Sequence, residues 1–315
     1  MKILKTALEL GATMYMPATH HELWNVTQGY KYLDLKSIVV CLEDSVRESD
    51  LEYALSNLKA LLERINSSNQ ENDRVAVFVR PRNIEVAKRI VGWGLNHCFN
   101  GFVVPKYLIE DFDAWNNLIK EQKNVMLTLE TGQYFDMGYV SEVKHALNSM
   151  NNRNILCLRI GGNDLLSSLN LRRPKHCTIY DTPVGLLIPQ LVGQFVPSGY
   201  ELSSPVFEHI ENIELLKKEI ALDKVNGLLA KTAIHPDQLS LIQNEYKVSS
   251  NDYYEAQLIL EADAKSVFKV NGSMLEPATH RNWAERIRLR SQLYGVIETH
   301  LQISNSAYDQ PKIAV

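Results

Sequence analysis

Strand-like and helix-like hydrophobic patterns alternate about eight times along the first 245 residues, and this alternation restricts the fold more than any other feature of the chain. Short apolar, β-branched runs lie at residues 13–16, 37–42, 75–79, 101–104, 125–129, 155–160, 200–204 and 227–230. Between them, stretches such as 51–65, 84–93, 112–120, 140–150 and 213–222 carry apolar residues at the i, i+3, i+4 spacing of a helix with one buried face. Such a period specifies parallel strands joined by right-handed helical crossovers. Runs such as SIVVCL and GFVVP are apolar on both faces, as a sheet covered on both sides requires. An open doubly wound sheet and a closed barrel both satisfy this. Eight units without a glycine-rich dinucleotide fingerprint after the first strand select an α/β fold, the (β/α)8 TIM barrel.

After the eighth unit the pattern changes. Residues 252–268 and 279–303 read as two helices around the turn-like Val270-Asn271-Gly272-Ser273, with no strand of their own, and 304–315 reads as a frayed end. The expected organisation is a catalytic barrel over 1–245, followed by a C-terminal helical extension, 246–315, packing on the barrel or on a neighbouring subunit.

Composition narrows the partners. With 33 Lys and Arg against 37 Asp and Glu, the net charge of −4 argues against nucleic acid, and any anionic ligand must be met by local cations. No apolar stretch is long enough to span a bilayer. The opening MKILKTALELGATMYMP lacks the uninterrupted apolar core of a signal peptide. Cys41, Cys98, Cys157 and Cys177 show no paired spacing, so reduced thiols in a cytoplasmic protein are expected.

Barrel catalysis is built where strands end at their carboxyl termini. Here those positions hold Glu43-Asp44 after the second run, Arg80 after the third, Lys106 after the fourth, Glu130 after the fifth, Gly161-Gly162-Asn163-Asp164 after the sixth and Lys231-Thr232 after the eighth. Glu130 and Asp164 fall one βα unit apart, hence on neighbouring strands at the same end. Two carboxylates there repel unless one is protonated or a cation joins them, and a hard divalent ion such as Mg²⁺ is commonly held this way. Helix capping by both acids is the competing explanation. Gly161 and Gly162 allow backbone to approach closely, and Arg80 offers a fork of donors to a carboxylate or enolate oxygen. Lys106 and Lys231 supply point charges at the rim, Glu43 and Asp44 either hold Arg80 or a metal-bound water or form an acidic start that opposes the dipole of the second helix, and Arg82 faces solvent or a neighbouring loop. His235 orders the turn after strand eight, His20 and His21 lie at the rim, and Arg172-Arg173-Pro174-Lys175-His176 could receive the phosphates of a CoA thioester.

The segments VVCLEDSV, VFVRPRN, VVPKY, LTLET, RIGGNDL and LAKTAIHPDQ, in this order and spacing, resemble the motifs of the citrate lyase β-subunit-like branch of the HpcH/HpaI aldolase family; NGSMLEPATHRNWAERI is a weaker match in the tail. The resemblance implies a Mg²⁺-dependent barrel of the phosphoenolpyruvate/pyruvate type, trimeric or hexameric, that makes or breaks a carbon–carbon bond in a keto acid or an acyl thioester. It implies Glu130 and Asp164 as metal ligands and Arg80 as the residue that grips the keto acid or enolate; Glu130, Lys106 and Gly162 at the same rim are further candidate substrate contacts. Catalysis would fall to Arg80 and to Glu276, lent by the tail to a neighbouring subunit, or to Asp44 through a water. The chain departs from the family by placing Cys41 and Glu276 where Asp is common, and by a longer, proline-rich stretch over 172–205. Thioester hydrolysis, a malate-synthase-like condensation and a non-catalytic binding barrel remain open as alternatives.

Overall fold

The computed structural model describes residues 3–68, 75–120, 122, 124–150 and 154–297. The chain divides after Tyr246 into two compact units. In the first, strands β1 (Ala12–Pro17), β2 (Ser37–Cys41), β3 (Ala76–Arg80), β4 (Gly101–Val104), β5 (Val125–Leu129), β6 (Ile155–Ile160), β7 (Leu202–Ser203) and β8 (Lys231–Ala233) alternate with helices. These are α1 (Leu23–Thr27), α2 (Leu51–Ser67), α3 (Ile84–Val91), α4 (Phe112–Ile119), α5 (Met137–Ser149), α6 (Gly162–Ser168), α7 (Pro183–Phe195), α8 (Ile213–Val225) and α9 (Asp237–Glu245). Neighbouring strands are parallel, in the order β7-β6-β5-β4-β3-β2-β1-β8. A parallel bridge from Ser204 to Lys231 closes the ring. The expected (β/α)8 barrel is therefore the fold.

Strand alternation puts every second side chain inside the barrel. Val39, Phe78, Val103, Met126 and Cys157 form one cluster there, with Tyr15 packed against it. Leu4, Ala7 and Leu10 of the segment before β1 join the same cluster and fill its amino-terminal end. Glu201 fastens that segment by accepting from Thr6 Oγ1 at 2.7 Å and from the Ala7 N–H. A cavity inside the barrel is lined by residues at and beyond the carboxyl ends of the strands, among them Asp44, Arg80, Glu130 and Asp164. Cys41, Cys98 and Cys157 are buried and Cys177 half-buried, all as free thiols.

Three expectations are corrected. The eighth strand does not end at Ala230; it begins at Lys231, paired with Ala12 of β1. A lysine inside a strand looks like a terminus in sequence, but here Nζ is buried against Glu219 at 3.0 Å and Asp223 at 2.8 Å. Lys231 is thus fully buried behind the barrel wall and supplies no charge to the rim. Arg173 is likewise buried, on Glu219 at 3.0 Å, which removes it from any phosphate-binding loop. The proline-rich stretch over 172–205 contains α7, with Pro183 in its first turn, where a missing N–H costs nothing, and Pro189 inside.

The second unit contains β9 (Val248–Ser249), α10 (Ser250–Leu260), β10 (Phe268–Val270), β11 (Ser273–Leu275), α11 (Pro277–Tyr294) and β12 (Val296–Ile297). The expected helix over 252–268 stops at Leu260, and the tail does contain strands. β10 and β11 form a hairpin around Asn271 (φ 49°) and Gly272 (φ 85°), the Asn-Gly pair that suits a two-residue turn with both residues left-handed. α10 and α11 bury Ala256, Ile259, Ala284 and Ile287 against Val248 and Leu275. The end of the expected helix over 279–303, and the frayed end over 304–315, lie outside the described residues. Among the described residues no helix is long and apolar enough to cross a membrane.

Candidate active site

Five consecutive strands of the barrel, β2 to β6, deliver charged side chains to the carboxyl rim. Arg80 is the last residue of β3, and its Nη2 lies 3.0 Å from Glu130 Oε1, 3.1 Å from Glu43 Oε2 and 3.9 Å from Asp44 Oδ2. Lys106, two residues beyond β4, brings Nζ to 2.6 Å from Glu43, 3.3 Å from Asp44 and 3.9 Å from Asp164. Its backbone is left-handed, φ 45°, a conformation that costs a non-glycine residue roughly 1–2 kcal/mol. Its own N–H donates to Glu130 Oε1 at 2.7 Å.

Glu130 directly follows β5 and is 3% exposed. The turn after β6 explains how so large a carboxylate fits: a Cβ on Gly161 would lie 2.3 Å from Glu130 Cβ and 2.5 Å from Oε2. Gly162 is needed for a different contact, because a Cβ there would meet Pro205 at 2.8 Å. Asp164 stands in the first turn of α6. Cys41 ends β2 in register with Arg80, so a thiol rather than a charge flanks the guanidinium there. Arg82 turns away to Glu48 and the Val46 carbonyl, in the loop after β2.

Four carboxylates (Glu43, Asp44, Glu130, Asp164) thus share two cations, a formal excess of two negative charges in a small volume. Burial pushes the Glu130 carboxyl up to about 7, opposed by Arg80 and reinforced by the charge of Asp164. Asp164 is raised as well, by burial and then by Asp44. Lys106 is raised: burial opposes its charge, but Glu43 and Asp44 outweigh that and keep it protonated. Among the described residues no group of three or more His, Cys, Asp or Glu side chains makes a complete protein-only metal site. The donors present, two raised carboxylates in an open cleft, would fit a hard cation that kept water or substrate oxygens in its shell.

A cavity of about 460 Å³ descends from this rim into the barrel, past Arg80 and Glu130 to Tyr15, Thr128, Arg159 and Thr232. Arg159 lies inside β6, one residue before its end, and so is not among the residues that follow a strand. Its signal is a cation in the inward phase of an otherwise apolar run, ILCLRI. Of the other expected residues, His235 accepts from the Asp237 N–H and orders the turn after β8. His20 stacks on His21 in the turn after β1. Glu276 is a residue of the second unit, at the N-cap of α11, where its N–H donates to His280 Nδ1 at 3.1 Å.

A family model described as C–C bond lyase of the TIM-barrel fold matches residues 4–296. Among solved structures, CitE from Mycobacterium tuberculosis in complex with magnesium, acetoacetate and coenzyme A superposes with a TM-score of 0.66 at 16% identity, covering 91% of this chain and 99% of that one. RipC from Yersinia pestis gives 0.57 at 17% identity over 78% and 98%. The citrate lyase β subunit from M. tuberculosis complexed with oxaloacetate and magnesium gives 0.55 at 15% over 76% and 98%. At these identities the likeness is one of fold. No curated protein matches the chain.

Proposed function

Because the chain belongs to the C–C bond lyase family of the TIM-barrel fold, we propose that it is a magnesium-dependent lyase acting through the enolate of an α-keto acid or short acyl thioester. The observation that carries this reading is the excess of two negative charges at the rim, with Glu130 and Asp164 both raised. A divalent cation on those two residues removes the excess, and the magnesium, oxaloacetate, acetoacetate and coenzyme A of the structural neighbours are consistent with it. Magnesium, when bound, supplies the Lewis acid that polarises a substrate carbonyl.

The chain's own residues do the rest. Cleaving the bond β to a carbonyl leaves an electron pair that delocalises onto the carbonyl oxygen, and a fixed positive charge beside that oxygen lowers the barrier. Arg80 is such a charge. Its Nη2 is tied to Glu130 and Glu43, while its buried Nε has no hydrogen-bond partner among the described residues and remains a donor for substrate. Lys106, held protonated, adds positive charge at the same rim and is not a base. On the family resemblance, proton transfer to or from the other fragment falls to Glu276 of a neighbouring subunit's tail in a cytoplasmic trimer or hexamer, with Asp44 acting through water as the alternative.

Isothermal titration tests the reading. Wild-type protein should bind Mg²⁺ and, in its presence, pyruvate or oxaloacetate, whereas Asp164→Ala should lose both signals. Unchanged Mg²⁺ binding by that variant would overturn the site.

A further inference from the structure

Arg159 is 2% exposed, points into the barrel from β6 and lines the floor of the cavity. Its partners are neutral: Nη1 lies 3.5 Å from Met126 Sδ, Nη2 donates to Thr232 Oγ1 at 2.5 Å, and the guanidinium carbon is 5.4 Å from the centre of the Tyr15 ring. The Cys157 thiol lies alongside. Among the described residues no carboxylate pairs with it. The other buried cations of the barrel are matched: Arg80 by Glu130 and Glu43, Arg173 by Glu219, Lys231 by Glu219 and Asp223.

A buried guanidinium cannot shed its proton, and keeping one without a counter-charge is unfavourable unless a ligand supplies that charge. A second, independent feature points to the same spot. Thr128, in register with Arg159 on β5, is 5% exposed, lines the cavity, and its Oγ1 has no hydrogen-bond partner among the described residues. Tyr15 spans the gap upward, since Arg80 lies 5.9 Å from the same ring. Two guanidiniums therefore flank one aromatic ring, one at the rim and one a layer below.

We propose that Arg159, with Thr128, anchors a second carboxylate of the substrate beneath the metal site, so that the pocket selects keto diacids over keto monoacids. The proposal rests on the enolate reading above and adds the substrate class. A planar carboxylate suits the fork of donors on Arg159, and the hydroxyls of Thr128 and Thr232 complete a polar floor under an otherwise apolar barrel.

The test compares oxaloacetate with 2-oxobutanoate, which keeps the chain length but replaces the terminal carboxylate by a methyl group. With Mg²⁺-loaded protein, titration calorimetry should give tighter binding of the diacid. Arg159→Met should weaken the diacid by at least about tenfold, which is ~1.4 kcal/mol, and leave Mg²⁺ and the monoacid nearly unchanged. Arg159→Lys should recover part of the discrimination. Arg159→Met should also melt no lower than wild type, because it deletes an unmatched buried charge. The proposal is overturned if the variant keeps the diacid preference, if it weakens both acids equally, or if it melts lower with the preference intact, which would make Arg159 a packing residue. If wild type binds neither Mg²⁺ nor any keto acid, the enolate reading itself is lost and the proposal falls with it, a result separable from the others.

Discussion

The barrel contains two clusters of ionised side chains that look alike in a list of contacts and differ in arithmetic. Behind β8, Arg173 and Lys231 meet Glu219 and Asp223, two positive against two negative, with all four side chains at 0% exposure. Neighbouring dipoles finish the job: the Ile179 N–H donates to Glu219 at 2.7 Å and the Tyr180 hydroxyl to Asp223 at 2.8 Å. At the rim, four carboxylates face two cations, and Asp44 and Lys106 remain 57% and 45% exposed. A balanced, sealed cluster has nothing left to offer a ligand and acts as a pin between β8, α8 and the loop before α7. An unbalanced, open one holds unmet charge, and that residue of charge is what a cation site is made from.

The largest effect expected from this contrast is on stability. Lys231→Met leaves Glu219 and Asp223 with a single cation in a sealed environment, and breaking a buried pair in this way costs about 3–5 kcal/mol. Chemical denaturation should show that loss. Asp164→Asn at the rim should show none in metal-free protein, since it lowers repulsion. Equal losses from the two variants would break the comparison.

Next in size is a pH effect confined to the rim. Glu130 has an ordinary value near 4.5 and is pushed up to about 7 in the fold, mainly by burial. Below the lower value both folded and unfolded chains hold the proton, so burial of the neutral carboxyl is tolerated. As pH rises between the two values the unfolded chain releases its proton while the folded chain keeps it, so up to about 3 kcal/mol of stability is lost by the time the upper value is passed. Thermal melts of metal-free protein between pH 5 and pH 8 should therefore fall more steeply for wild type than for Glu130→Gln. Saturating Mg²⁺ should flatten the wild-type curve. Parallel curves in both proteins would remove Glu130 as the source of unmet charge.

How much of this was legible beforehand follows the same division. The rim acids and Arg80 are visible because each ends a periodic apolar run, and parallel topology alone then gathers them at one end. The pin is not. Glu219 and Asp223 look like the polar side of an amphipathic helix, and Lys231 looks like the end of a strand, because sequence shows that a residue is charged but not that its partner is buried with it. Arg159 escaped for a related reason: a cation inside the barrel breaks the pattern of its strand and is explained by the cavity it faces. α7 was hidden by Pro183 and Pro189, which punctuate a sequence even where a helix tolerates them. The Asn271-Gly272 hairpin signal was present, but its flanking strands are only three residues each, too short to register as alternation.

The smallest effect probes whether the pin is held by charge balance or by each hydrogen bond in turn. Tyr180 donates to Asp223 Oδ1, while Lys231 occupies Oδ2 at 2.8 Å. Tyr180→Phe removes one neutral donor and leaves both charges matched, so the loss should be that of a single buried hydrogen bond, about 1 kcal/mol. Adding Tyr180→Phe to Lys231→Met should then cost more than the sum of the two, because Asp223 would lose its charged and its neutral donor together. A double variant that is merely additive would mean that the hydroxyl and the ammonium stabilise Asp223 independently, and that the equality of charges behind β8 is incidental to its stability.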